Sequence, residues 1–234
     1  MNKHQRLAIA FTGLLLIFAG SCGIPSIHPI YTKDKLVTVK GLAGVWSDKP
    51  GEFTFNRKQT IDGQEKDAKV TIYKTEGDPS SVWQFREDGD KRYLLIHTDT
   101  EGNSAAFKVH VIKLGSHLIM DLFPTGLPDD GKDNGVGRIL KNTERINSLR
   151  QAHLYPVHIF AKLEITSNQL QISMFDPEFL ENLLKRQQIR IKHEKTEDGY
   201  ILTASPEELQ KFAEKYAHVE EAFLDEPAIL SKKQ

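Results

Sequence analysis

From residue 54 to residue 123 the chain alternates short runs of β-forming residues with clusters of Gly, Asp, Asn and Pro. The runs fall at 54–55, 68–75, 82–86, 92–98, 105–114 and 117–123. Branched and aromatic residues suit the pleated backbone, and the intervening clusters break it. One strand roughly every ten residues, with no helical stretch between them, predicts an antiparallel meander. It would close as a barrel, curl as a curved sheet or fold into a sandwich.

Two hairpins can be registered residue by residue. Gly115 and Ser116 make a two-residue turn of the Gly-first kind, which sets Leu114 against His117 and Val111 against Met120. Phe107, Val109, Val111, Leu118, Met120 and Leu122 then share one face. Lys108, His110, Ile112, His117, Ile119 and Asp121 share the other. The first set is the expected core face and the second the expected polar one. A second hairpin turns at Ser167 and Asn168, between 157–166 and 169–175. There Val157, Ile159, Ala161, Leu163 and Ile165 alternate with His158, Phe160, Lys162 and Glu164, again one buried and one solvated face.

The pattern changes at three places. Residues 124–137 are rich in Gly, Pro and Asp and read as a long exposed loop, and 139–154 as a short polar helix. After residue 175 the period lengthens. Asp176 before Pro177 caps a helix over 178–188 with Phe179, Leu180, Leu183 and Leu184 on one side. Ser205-Pro206-Glu207-Glu208 is a capping box opening a second helix, whose Leu209, Phe212, Ala213 and Tyr216 form a packing stripe. A β-hairpin around Glu197, Asp198 and Gly199 lies between them. The expectation is a mainly β fold with C-terminal helices. Residues 36–175 form the β-domain, 176–224 a helix–hairpin–helix unit packed on it, and 225–234 a fraying tail.

The N-terminus has a different character. Lys3 and Arg6 precede an apolar run at 7–18, too short for the roughly 20 apolar residues that span a bilayer. Ala19, Gly20 and Ser21 then lead to Cys22, the sole cysteine of the 234 residues. This is the layout of a secretory signal. Ala19-Gly20-Ser21-Cys22 resembles the lipobox of bacterial lipoproteins, although Leu usually stands where this chain has Ala19. The resemblance implies cleavage between Ser21 and Cys22, removal of residues 1–21, and acylation of Cys22. Residues 22–35, with Pro25 and Pro29, would then be a lipidated tether. Gly23 follows the cysteine where Asp would signal inner-membrane retention. The resemblance thus implies an outer-membrane anchor facing the periplasm in a diderm cell, or otherwise the outer face of the cell membrane.

A shorter resemblance begins the β-domain. Gly44-Val45-Trp46 is similar to the Gly-x-Trp start of lipocalins, in which the glycine lets the chain bend into the first strand and the tryptophan plugs one end of a barrel. The family's Thr-Asp-Tyr segment is departed from at Thr98-Asp99-Thr100. A core tryptophan in an unrelated sheet accounts for the same three residues. On the barrel reading, Trp46, Trp83, Phe85, Tyr93, Phe107 and Phe160 would line a ligand pocket.

Composition narrows the function classes. Lys and Arg number 31 against 32 Asp and Glu, a net charge of −1, so there is no basic excess for nucleic acid. One cysteine forbids an internal disulfide or a multi-cysteine metal site. His110 and Asp121 face each other across the first hairpin and form the one polar pair with catalytic chemistry, although a simple cross-strand pair is the plainer reading. His153 and His158 flank Pro156 and lack metal-ligand spacing. Asp129, Asp130, Asp133 and Asn134 fail the calcium-loop pattern, because Lys132 and Lys141 fall where ligands belong. No motif implies a cofactor or a metal. The reading is a lipid-anchored binding module for a small apolar or amphipathic ligand. A structural lipoprotein binding other envelope proteins is the alternative, and a hydrolytic enzyme the third choice.

Overall fold

The computed structural model describes residues 23–48, 51–61, 64–74, 80–126, 156–197 and 199–233, with 51–61 and 64–74 described as backbone only. The strands are β1 (Pro25–Ser26), β2 (Gly44–Ser47), β3 (Gly51–Ile61), β4 (Gln64–Lys74), β5 (Val82–Glu87), β6 (Arg92–Thr98), β7 (Ser104–Leu114), β8 (His117–Thr125), β9 (His158–Ile165), β10 (Gln169–Met174), β11 (His193–Thr196), β12 (Gly199–Leu202) and β13 (Ala228–Lys232). Two α-helices accompany them among the described residues, α1 (Pro177–Lys185) and α2 (Pro206–Tyr216).

Eight strands pair in the order β2-β5-β6-β7-β8-β9-β10-β13, and β13 returns to β2, so the sheet closes on itself. All these pairings are antiparallel. Closure gives each of the eight staves a partner on both sides, the usual solution to exposed strand pairing. The expected registers hold: Leu114 opposes His117, Val111 opposes Met120, and His110 opposes Asp121. Gly115 has φ +57, which suits the first position of that tight turn. β3 and β4 pair only with each other among the described residues, as a hairpin outside the barrel order rather than two staves of the meander.

Three segments differ from the sequence reading. The C-terminal stretch expected to fray contains β13, which fills the gap between β2 and β10. The barrel therefore draws on chain well beyond residue 175. Only Leu230 of β13 is deeply buried, so the strand has too little alternation to announce itself. The stretch expected to be a tether packs instead. Ile24 and Ile30 are buried, and β1 pairs with both β9 and β12. Finally, the polar face of the β7–β8 hairpin is covered. Ile112, Ile119 and Leu114 are buried there beside Phe160, Phe175, Leu180, Leu209, Phe212 and Ala213.

The barrel wall between β7 and β9 thus has two hydrophobic sides. Its inner side packs the barrel core, including Trp46, Phe85, Tyr93, Val109, Val111, Met120 and Leu163. Its outer side takes α1 and α2. Their starts follow local chemistry. Asp176 accepts the Glu178 N–H at 2.9 Å, and Ser205 and Glu208 complete a reciprocal capping box. The signal segment with Ser21 and Cys22, residues 127–137 of the long loop, the predicted helix at 139–154 and His153 all lie outside the described residues.

Candidate functional site: the barrel interior and its two ends

Strand register sorts the connections between the two ends of the barrel. At one end, the turn end, the staves are joined at 88–91, 115–116 and 166–168. At the other, the loop end, the connections run over 48–81, 99–103, 126–157 and 175–227.

The turn end is sealed. β7 extends past the start of β6, since Arg92 pairs with His110. The free edge beyond is taken by residues 35–37, where Leu36 bridges Ile112 and the Val37 N–H donates to the Val111 carbonyl at 2.9 Å. The chain then crosses the opening. The Val39 N–H donates to the Tyr93 hydroxyl at 2.9 Å, and that hydroxyl donates to the Val39 carbonyl at 3.3 Å. Burial pushes the Tyr93 phenol above its ordinary pKa, so it stays a neutral donor. Leu42 and Trp46 are both 0% exposed, and the Trp46 indole N–H donates to the Leu42 carbonyl at 2.8 Å. Lys232 lies over the Trp46 ring, 5.1 Å from its centroid, and donates to the Gly41 carbonyl. Gly44 has φ +139, and a Cβ there would meet Lys232 Cε at 2.9 Å, so glycine suits this bend on both counts.

The loop end is lined differently. Trp83 and His97 face inward as cross-strand partners, with ring centroids 4.6 Å apart. Both are half-buried, as is Phe107. The Trp83 indole donates to Ser81 Oγ at 3.3 Å, and Ser81 Oγ donates to Asp48 Oδ1 at 3.5 Å. Burial pushes the His97 pKa down, and Asp99 and Asp48 pull the other way. The Asp99 carboxylate is itself tied into the β6–β7 turn by the N–H groups of Glu101 and Asn103 and by the Asn103 amide. This end therefore presents aromatic faces and an imidazole that favours its neutral form, a lining suited to apolar or amphipathic molecules.

Of the six predicted pocket residues, Trp46, Trp83, Phe85, Tyr93 and Phe107 belong to the inner core. Phe160 does not. Alternation turns it outward, where its ring meets Phe175 at 5.5 Å under the helices.

The predicted His110–Asp121 pair is also rearranged. The two oppose each other, but the Asp121 carboxylate accepts from the Ile30 N–H at 2.9 Å and is bonded to His158 Nδ1 at 2.8 Å. His110 stacks instead on the Tyr31 ring, at 4.0 Å between centroids. Its Nδ1 is buried without a hydrogen-bond partner, and burial lowers its pKa. Gln210 of α2 donates to the Ile30 carbonyl at 2.9 Å. Asp121 is 0% exposed. The cluster therefore pins residues 30–32 to the barrel wall and leaves its carboxylate closed to substrate. The bond between His158 and Asp121 is what the sequence reading lacks. The period-two position of His158 beside Phe160 marks its face, but its distance from Asp121 depends on β8 pairing with β9 across the long 126–157 connection.

Two shallow grooves lie on the outer surface. One, of about 340 Å³, includes Lys162, His218 and Phe223. The other, of about 290 Å³, places Arg190, Lys211 and Lys215 around Ile191 and Phe212. Neither brings together a nucleophile and a base.

No family model, curated protein or solved structure matches this chain.

Proposed function

We propose that the protein is a lipid-anchored, lipocalin-like barrel that holds a small apolar or amphipathic ligand at its loop end. One observation carries the reading: the closed barrel is plugged at its turn end and lined by half-buried Trp83, His97 and Phe107 at the other. The deep half is already filled by Trp46, Phe85 and Tyr93, so the ligand enters only partway and keeps a polar end outside. The anchor is Cys22, supported by the charged leader, the apolar run and the lipobox resemblance. Two acyl chains, at about 0.8 kcal/mol per buried CH₂, hold a protein on a membrane almost permanently.

The ligand reading is tested by extracting the protein in mild detergent and analysing what travels with it by mass spectrometry. Titration of the stripped protein with a fluorescent fatty acid provides the second arm. A bound amphiphile, and about a tenfold loss of probe affinity in Trp83→Ala, are expected. An empty barrel that also fails to saturate with the probe refutes the reading. For the anchor, Cys22→Ser should abolish lipid labelling and leave the leader uncleaved, and unchanged labelling refutes it.

A further inference from the structure

We infer that the loop end of the barrel rests against the lipid bilayer, with the β8–β9–β1 sector of its rim in contact with the head-group region. The inference rests on Cys22 being the lipid-bearing residue, and it deepens that reading by fixing which way the barrel faces.

No slack follows residue 22 in the described chain. Gly23 is buried, with φ +127, and a Cβ on it would meet Ile159 Cγ2 at 2.8 Å and Met174 Cβ at 3.8 Å. Ile159 and Met174 belong to the loop-end portions of β9 and β10. Gly23 is thus wedged at the rim, at a spot only glycine fits. From there the chain is held continuously. Ile24 is buried. Pro25 and Ser26 pair with Ile159 and His158 on one side, and Ser26 pairs with Leu202 on the other. The Ile27 N–H donates to the Leu202 carbonyl at 2.9 Å, and the Ile30 N–H to Asp121.

Consecutive Cα atoms are about 3.8 Å apart, so residue 22 lies one such step from the rim. A glyceryl thioether on its sulfur has its ester oxygens at head-group depth. Its length and one residue cannot lift a barrel away from the surface.

The rim suits that position. Ile27 is the one large hydrophobic side chain exposed among the described residues, at 37%, and it follows β1 directly. Pro124 near the end of β8 and Pro156 just before β9 are also exposed. The opposite end carries exposed Lys40, Arg86, Lys91 and Lys113, side chains that belong in water. At the loop end, Glu101 is exposed on the β6–β7 turn, which marks the side tilted away from the lipid. In this pose the barrel opening faces the membrane from the β8–β9–β1 side, and Trp83 lines its far wall, so an amphiphile passes between bilayer and barrel with little exposure to water.

The test uses the full lipidated protein in vesicles of phosphatidylethanolamine and phosphatidylglycerol that contain a phospholipid with a nitroxide near its head group. Because Cys22 is blocked by its thioether, a cysteine introduced elsewhere is the only free thiol and takes a fluorophore. Ile27→Cys and Pro156→Cys report the rim, and Ser116→Cys reports the turn end. The expected result is quenching at least threefold stronger at either rim site than at Ser116. About ten Gly and Ser residues inserted between Cys22 and Gly23 should remove the difference. Two rim sites guard against one variant folding poorly. Equal quenching at both ends, with lipid on Cys22 verified by mass spectrometry, overturns the orientation alone. Absence of lipid on Cys22 overturns the anchor and the orientation with it.

Discussion

At the turn end of the barrel the staves are joined by short turns, the chain from 37 to 42 lies across the opening, and Leu42 and Trp46 are fully buried beneath it. At the loop end three of the four connections are long, the 99–103 turn being the exception, and Trp83, His97 and Phe107 remain half-exposed. The same inward alternation runs through both ends. What differs is what the connecting chain does after each strand leaves the wall. Short turns leave room for one segment to cross and seal the core with matched hydrogen bonds. At the other end the last inward side chains keep part of their surface exposed. One end therefore contributes stability, and the other leaves aromatic side chains partly accessible.

The largest effect should come from removing what makes both ends part of one barrel. Deleting 227–234 takes away β13 and strips β2 and β10 of a partner. The expected outcome is loss of essentially all cooperative stability, typically about 5–15 kcal/mol for a domain, seen as the loss of a sigmoidal urea transition. A truncated protein that unfolds with the full-length midpoint would contradict closure by β13. Next in size is a contrast between the two tryptophans. Trp46→Ala should cost about 3–5 kcal/mol, as for other fully buried large side chains. Trp83→Ala should cost about 1 kcal/mol, because its side chain is only half-buried. Equal costs in urea denaturation would erase the distinction between the ends.

The smallest effect is a pH dependence. Burial lowers the His97 pKa in the folded state, so folding favours the neutral ring. Its contribution is complete above the unfolded value near 6.5 and is lost as the pH falls through the lower folded value. His97→Phe should therefore leave Tm at pH 8 nearly unchanged and reduce its fall on acidification. The fall should be reduced rather than abolished, because burial shifts His110 in the same direction. Thermal melts at pH 8 and 5.5 would decide, and an unaltered difference between them would count against a buried neutral His97.

Local chemistry made much of this legible in the sequence. A two-residue turn with glycine first, flanked by strict alternation, was enough to register β7 against β8 to the residue. The helix starts at Asp176 and Ser205 were legible for the same reason, since a cap and its partner lie within three residues. What escaped depends on distant partners. Ile112 and Ile119 sit among His, Lys and Asp, and nothing nearby announces the helices that cover them. Residues 23–35 look like a linker because their partners are on β9, β12 and α2. Asp121 found His158 instead of the residue opposite it, since a carboxylate has two oxygens and strands on both sides of β8 compete for them. At the candidate site, five of the six aromatics lie in the inner core, and Phe160 lies outside it, as the period-two phase of its own strand requires.

The stave that completes the ring, β13, comes later in the chain than the seven it joins. Until β13 arrives, β2 and β10 cannot both be satisfied, and the ring stays a strip with two open borders. A barrel arranged in this way cannot close before residues 228–232 have been made. The same arrangement means that a premature stop almost anywhere upstream yields no smaller working version, only an open sheet for quality control to remove.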